Sequence, residues 1–110
     1  MSWLIVLFAG TGLLMIVLAV PMVLEKVPPN NIYGFRTKRT LSDPEIWYPA
    51  NAYAGKWLLV YGVVTTAMAL LLPWLLPGLT ENSYAVLFSI LSLGGLFFVG
   101  LMSWRYLQKL

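Results

Sequence analysis

Apolar residues in this chain fall into three long runs, separated by one long polar stretch and one short one. The runs cover residues 3–24, 57–76 and 84–106, each close to the roughly 20 residues that an α-helix needs to cross a bilayer. Backbone groups in lipid must bond within their own segment, and the runs lack the alternation of membrane-barrel strands. The pattern therefore predicts an all-α integral membrane protein, a single three-helix bundle over residues 1–110.

The breaks between the runs predict how the spans connect. Pro77 and Gly78 end the second run and the link to the third is short, so these two spans should be antiparallel neighbours. The first run lacks the basic start of a signal peptide, and it is longer than the apolar segment of a signal peptide. We therefore interpret it as a span. Pro21 is expected to kink its last turn.

Composition agrees with the membrane class. Hydrophobic residues make up 60% of the chain and charged residues 10%, against about 25% charged in soluble domains. There is no cysteine and no histidine, so disulfides, thiolate metal sites and the usual proton shuttle near neutral pH are excluded. We expect no metal, no cofactor and no enzymatic activity. The middle of each span lacks ionisable residues, which argues against a pump or coupled transporter.

The basic residues predict the orientation. Five of the seven lie in or beside the first loop and two near the C-terminus: Lys26, Arg36, Lys38, Arg39, Lys56, Arg105 and Lys109. Three spans place both groups on one side, so the positive-inside rule predicts a cytoplasmic loop and C-terminus and an external N-terminus. Membrane topology thus explains the net charge of +3, and we expect no nucleic acid as partner.

Small and aromatic residues suggest how the spans pack. Small residues within the runs let helix backbones approach closely. They are Ala9, Gly10 and Gly12 in the first run, Gly62, Thr66 and Ala69 in the second, and Ala85, Ser89, Ser92, Gly94, Gly95, Gly100 and Ser103 in the third. Packing inside one bundle and a homo-oligomer both remain open. Aromatic residues near the predicted span ends form the expected interfacial belt: Trp3, Trp47, Tyr48, Trp57, Trp74, Tyr84, Trp104 and Tyr106.

The polar stretch, residues 27–55, is the first place to look for a function. Prolines 28 and 29 stop the first helix, and Asn30 and Gly34 favour turns. Asp43 is a good N-cap before Pro44, so a short interfacial helix should begin there and be interrupted by Pro49. We expect Trp47 to anchor this helix at the headgroups.

Arg36, Lys38 and Arg39 supply the candidate chemistry, because a guanidinium fits a carboxylate or a phosphate. Three interpretations stay open. The cluster could set topology by contacting membrane lipid, bind a headgroup, peptide or partner protein, or pair with Asp43 and Glu45 to order the loop.

The spacing in this stretch is distinctive: Pro29-Asn30-x-x-Tyr33-Gly34-Phe35-Arg36-Thr37-x-Arg39-Thr40-Leu41, then Trp47-Tyr48-x-x-Asn51-x-x-x-Gly55. It resembles the signature of the SdpI family of bacterial membrane proteins, with one span before it and two after. The resemblance implies an inner-membrane location and a binding loop in which asparagines bond the backbone and arginines meet a partner. The implied binding residues are Asn30, Tyr33, Gly34, Arg36, Thr37, Arg39, Asp43, Trp47, Asn51 and Gly55.

The resemblance also implies a function. The family includes an immunity protein against a secreted peptide toxin of sporulating bacilli, which captures a repressor at the membrane when toxin is present. For this chain it implies toxin resistance through binding of a peptide or a cytoplasmic regulator by the Arg36 and Arg39 loop. Two alternatives remain: a module that binds anionic lipid or regulates another membrane protein, and a small oligomeric transporter.

Overall fold

The computed structural model describes residues 1–110 and contains four helices and no strand. The helices are α1 (Ser2–Val23), α2 (Lys38–Ser42), α3 (Pro44–Leu75) and α4 (Glu81–Leu107). By length and composition, α1, α3 and α4 could each cross a membrane. The predicted all-α architecture with three spans is confirmed, in a molecule 50 Å long and about 20 Å across.

The start of α3 is where the sequence placed it, but its extent is not. The Asp43 carboxylate accepts the Glu45 N–H at 2.9 Å and Pro44 is the first helical residue, as an N-cap requires. The helix then runs without a break for 32 residues. At 1.5 Å per residue α3 is about 48 Å long. Roughly three of its turns therefore extend beyond a hydrocarbon core of about 30 Å.

The prediction of a separate interfacial helix interrupted by Pro49 is therefore wrong. Pro49 lies five residues after the start of α3, where its missing N–H removes one backbone hydrogen bond. The same part of the helix buries Trp47, Ala50 and Asn51, and this packing holds it together. The short helix that does occur, α2, ends before Asp43.

Helices α1 and α3 make the closest backbone contact in the bundle. A Cβ atom on Gly12 would lie 2.8 Å from the Thr66 nitrogen and 2.9 Å from the Gly62 oxygen. A Cβ atom on Gly62 would reach the Gly12 oxygen at 2.8 Å. These small residues are thus used inside the chain, whereas Gly10 and Gly94 have open space beside them.

Helix α4 packs antiparallel to α3, as the short link between them predicts. The Tyr84 hydroxyl donates to the Ala69 carbonyl at 2.8 Å near one end of the pair. Near the other end the rings of Tyr53 and Tyr106 stack with centroids 4.1 Å apart. Gly95 lies against the ring of Tyr61.

Helix α1 continues through Pro21 to Val23 and ends in a Schellman motif. Glu25 takes a left-handed conformation with φ of +57°, and the Lys26 N–H donates to the Pro21 carbonyl at 2.9 Å. This turn directs the chain back over the end of the bundle. We call residues 24–55, which include α2 and the first three turns of α3, the headpiece.

The aromatic belt is only partly as expected. Trp3, Trp74 and Trp104 are more than half exposed near helix ends, which suits an interfacial position. Trp47 and Tyr84 are fully buried, so the prediction that they belong to the belt is wrong. Both make a hydrogen bond inside the chain, which is the usual state of a buried Trp or Tyr.

Candidate functional site: the headpiece

The headpiece begins with a turn built by Asn30. Its side-chain oxygen accepts the N–H groups of Ile32 and Tyr33 at 2.9 and 2.7 Å. Its amide nitrogen donates to the carbonyls of Pro28 and Tyr33 at 2.8 and 2.9 Å. An asparagine amide has two donors and two acceptor lone pairs, so all four are used here. Asn30 thereby fixes the chain reversal that precedes the arginines.

Asn51 ties the loop to α3. Its side chain is 2% exposed; the oxygen accepts the Phe35 N–H at 2.7 Å, and the nitrogen donates to the carbonyls of Phe35 and Trp47. The prediction that Asn30 and Asn51 bond loop backbone is confirmed. Gly34 lies beside this contact with φ of +116°, and a Cβ there would be 2.7 Å from the Asn51 oxygen. Only glycine satisfies both the backbone angle and the space.

Trp47 forms the core of the headpiece. It packs in a buried cluster with Met22, Val27 and Ala54, and its indole N–H donates to the Val27 carbonyl at 2.7 Å. The interpretation of Trp47 as a headgroup anchor is therefore corrected, because the indole is enclosed by protein. Gly55 lies one turn past Asn51, where a Cβ would be 2.7 Å from the Met22 Cβ, so α1 also touches α3 here.

Thr37 begins α2 through a reciprocal capping box with Thr40. The Thr37 hydroxyl accepts the Thr40 N–H at 3.1 Å, and the Thr40 hydroxyl accepts the Thr37 N–H at 2.7 Å. Thr40 is fully buried and its hydroxyl also lies 3.0 Å from the Phe35 carbonyl. Thr40 is part of the signature but was not among the implied binding residues, and the Thr-x-x-Thr spacing from Thr37 was the available signal.

Tyr33 packs its ring against the Trp47 cluster. Its hydroxyl oxygen is buried and has no hydrogen-bond partner. Burial raises the pKa of the Tyr33 phenol above its usual value, since the charged form would be desolvated. The phenol is thus enclosed rather than presented on the surface.

The two arginines of the signature have different surroundings. Arg36 is exposed and its Nε donates to the Asn30 carbonyl at 3.0 Å, while its two terminal nitrogens bond nothing within the chain. Arg39 is half-buried and its Nη1 donates to the Leu107 carbonyl at 2.8 Å, at the end of α4. That carbonyl end of a helix carries partial negative charge, which suits a cation.

Neither arginine pairs with a carboxylate of the loop. The one ion pair of the chain joins the N-terminal amine to Glu81 at the opposite end of the bundle. Asp43 serves instead as the N-cap of α3. The suggested pairing of Arg36 or Arg39 with Asp43 or Glu45 is therefore not observed, and Arg36 keeps its charge available.

Charge is divided unevenly between the two ends of the bundle. All seven basic side chains lie at the headpiece end or at the adjoining end of α4, with three of the four acidic ones. Six of the seven basic residues are exposed. The headpiece end is thus a strongly basic surface with Arg36 on it.

Known proteins are similar in sequence to this chain over the headpiece and the two helices that follow it. The sequence pattern of the SdpI/YfhL protein family matches residues 26–104, from the start of the headpiece to near the end of α4. The chain is also 38% identical over 66 residues to the uncharacterized protein YfhL of Bacillus subtilis (strain 168). That alignment covers 57% of this chain and 57% of YfhL. No solved structure matches. The chain, with three helices long and apolar enough to cross a membrane, therefore belongs to the SdpI/YfhL family.

Proposed function

We propose that this protein of the bacterial inner membrane confers resistance to a membrane-active peptide toxin by binding the peptide or a partner protein through the headpiece. The observation that carries the proposal is the state of Arg36. One nitrogen is held by the Asn30 carbonyl, and the two terminal nitrogens point to no partner in the chain. A guanidinium that is already held in place can donate to a carboxylate with less loss of side-chain freedom than a mobile guanidinium.

Arg39 has a supporting role in this proposal. Its bond to the Leu107 carbonyl joins the headpiece to the end of α4, and the stacked rings of Tyr53 and Tyr106 lie in the same region. Loss of Arg39 should loosen this junction as well as remove a charge. Arg36 is therefore the cleaner test of partner binding, because its substitution breaks only one internal hydrogen bond.

The proposal places the headpiece in the cytoplasm, following the positive-inside rule. Because the chain has no cysteine, single cysteines report position cleanly. We expect Asn31→Cys, in the exposed headpiece loop, to react with an impermeant maleimide only after cells are permeabilised. Asn82→Cys, exposed at the start of α4, is the matched site and should react in intact cells. The reverse pattern would contradict the proposed orientation.

The functional test is protection of cells that lack the gene. Such cells should be sensitive to the secreted peptide toxin of sporulating bacilli, and the wild-type chain should restore growth. Arg36→Gln and Arg36→Lys should both fail to protect at equal membrane abundance, because lysine keeps the charge but loses the planar fork. Lys38→Gln removes an exposed charge two residues away and is the matched control, which should still protect.

Two outcomes would contradict the proposal. Full protection by Arg36→Gln would show that Arg36 is not needed for binding the peptide or partner. Equal loss by Arg36→Gln and Lys38→Gln would show that total charge matters and not the arginine fork.

A second candidate function, binding of anionic lipid, is favoured by the basic surface at the headpiece end. Each basic side chain near such a membrane contributes about 1 kcal/mol without regard to its geometry. Lipid co-purified with the protein should then lose anionic species to a similar degree in Arg36→Gln and Lys38→Gln. Retention of the same lipids in both variants would argue against this function.

A further inference from the structure

Helices α3 and α4 form a groove of about 310 Å³ that no residue of α1 lines. Inside it, the ring of Tyr61 lies against Gly95. Its mouth is formed by four large apolar side chains, each about half-exposed: Val60, Val64, Leu91 and Phe98. The groove is therefore open along the side of the bundle that faces away from α1.

The lining offers little to a polar ligand. No Asp, Glu, Lys or Arg is among its residues. The Tyr61 hydroxyl already donates to the Ser92 carbonyl at 3.0 Å, and the Thr65 hydroxyl donates to the Tyr61 carbonyl at 2.8 Å. Because the hydroxyl groups of the groove are used inside the chain and the rest of its surface is apolar, a hydrocarbon chain suits it best.

The groove has the depth of one leaflet of a bilayer. Gly55 touches Met22 in the last turn of α1, so Trp57, two residues further on, lies close to the headgroup level. Met68, at the other end of the groove, is 11 residues after Trp57, or about 16 Å along the helix. That is roughly half of a 30 Å hydrocarbon core, which is the length available to an acyl chain, whereas a membrane-spanning helix would need the full thickness.

Two cations lie at the headgroup end of this groove. On α3, Lys56 is four residues before Val60, and on α4, Arg105 is seven residues after Phe98. These spacings place each cation on the same helix face as a residue of the mouth. The rings of Trp57 and Phe98 meet edge to face with centroids 5.3 Å apart, so both cations lie beyond this contact, toward the headpiece. Both are exposed, and neither belongs to an ion pair within the chain.

We propose that this groove binds one anionic phospholipid, with an acyl chain in the groove and the phosphate between Lys56 and Arg105. The apolar lining accounts for the chain, and the two cations account for the charge, because basic side chains at the membrane surface attract anionic lipid. The guanidinium of Arg105 also matches the geometry of a phosphate. The site is separate from Arg36 and from the partner proposed for the headpiece, and it has a defined position, unlike a diffuse attraction to the whole basic surface.

The test uses the purified full chain in nanodiscs of phosphatidylcholine. The probe is a phosphatidylglycerol that carries a diazirine on one acyl chain, and the matched probe is a phosphatidylcholine with the same chain. Labelling by the phosphatidylglycerol probe should concentrate on residues 57–68 and 91–99, and the phosphatidylcholine probe should label these residues less. Unlabelled phosphatidylglycerol should compete for this labelling.

The headgroup contact is tested by the double variant Lys56→Gln with Arg105→Gln. It should lower groove labelling by the phosphatidylglycerol probe by up to about 30-fold, or about fivefold for each basic side chain, to the level of the phosphatidylcholine probe. The matched control is Lys26→Gln with Lys38→Gln, which removes two exposed charges at the same end of the bundle but outside the groove. This control should keep the labelling of the wild type, and circular dichroism checks the helix content of both variants.

The acyl-chain contact is tested without any change of charge. Val64→Trp fills the mouth of the groove and should reduce labelling there by both probes. Val63→Trp is the matched control, because Val63 is 53% exposed against 55% for Val64 and does not line the groove. Its labelling should equal that of the wild type.

Four results would each overturn the proposal: equal labelling by the two probes, labelling spread evenly over the lipid-facing surface, equal losses in the two double variants, or an unchanged signal in Val64→Trp. Groove labelling that disappears when two chains share one nanodisc would overturn it as well, since a second copy would then be the occupant.

Discussion

Replacement of Asn51 by alanine gives the sharpest test of how the headpiece is held. The Phe35 N–H has the Asn51 oxygen as its partner at 2.7 Å, and alanine leaves this partly buried donor without its acceptor. The Phe35 carbonyl also loses its bond from Asn51, but it still accepts the Thr40 hydroxyl at 3.0 Å, so the free-energy cost at the carbonyl is smaller than at the N–H. An unpaired buried donor costs about 1–3 kcal/mol, and we take about 2 kcal/mol as the free energy lost from the closed headpiece.

Hydrogen–deuterium exchange of the purified protein in detergent measures this loss. A change of about 2 kcal/mol corresponds to roughly 30-fold faster exchange from the opened state. The Phe35 amide must exchange faster because its acceptor is gone. The amides of Tyr33 and Thr37 keep their acceptors, Asn30 and Thr40, so faster exchange there reports opening of the whole headpiece.

The matched control is Asn31→Ala, an exposed asparagine of the same loop, which should leave all three amides within about threefold of wild type. If Asn51→Ala accelerates the Phe35 amide alone, the loop does not depend on this contact for its closure. That result would refute the reasoning that Asn51 fastens the loop to α3.

Three further substitutions test other contacts. Gly12→Ala should weaken the α1–α3 contact by about 1–3 kcal/mol in unfolding by sodium dodecyl sulfate, because its Cβ would meet the Thr66 backbone, whereas Gly10→Ala has open space. Gly34→Ala should destabilise the headpiece by a similar amount, seen as faster proteolysis of the loop, since φ is +116° and the Asn51 oxygen is 2.7 Å away. Tyr33→Phe should be neutral or stabilising at pH 7, because the lost hydroxyl has no partner. The raised pKa of Tyr33 means that the folded state favours the neutral phenol. The contribution of this preference to headpiece stability is complete below the usual tyrosine pKa of about 10 and is lost as pH rises further. In an alkaline titration, Tyr33→Phe should therefore lose less headpiece stability than the wild type.

Each of these has a result that would count against it. Equal effects of Gly12→Ala and Gly10→Ala would mean that the helices separate easily. A Gly34→Ala loop as resistant to protease as wild type would mean that the turn relaxes without cost. A clear loss of stability in Tyr33→Phe at pH 7 would reveal a partner for the phenol.

The sequence predicted well those features that depend on local pattern. Three apolar runs fixed the number of spans, and their length relative to the bilayer left no other fold class. The short link at Pro77 and Gly78 fixed the antiparallel pairing of α3 and α4. The Asp43-Pro44 pair fixed the start of α3, because capping and the proline N1 preference act within one turn.

The sequence failed where packing competes with local preference. Pro49 normally interrupts a helix, yet α3 passes through it because the neighbouring face is buried against the loop. Trp47 was assigned to the interface on the general preference of tryptophan, but it packs in a buried cluster with Met22, Val27 and Ala54. Neither outcome follows from a short window of residues, since both depend on segments distant in the chain.

Only the tertiary structure separated the roles of the two signature arginines. The family resemblance already assigned Asn30 and Asn51 to the loop backbone, but it treated Arg36 and Arg39 alike, because a linear pattern does not say whether a guanidinium is satisfied by its own chain. The structure uses both asparagines to hold the backbone and ties Arg39 to α4, which leaves Arg36 with unpaired donors. Hydropathy and capping are properties of neighbouring residues, whereas hydrogen-bond satisfaction is decided by which distant groups the fold brings together.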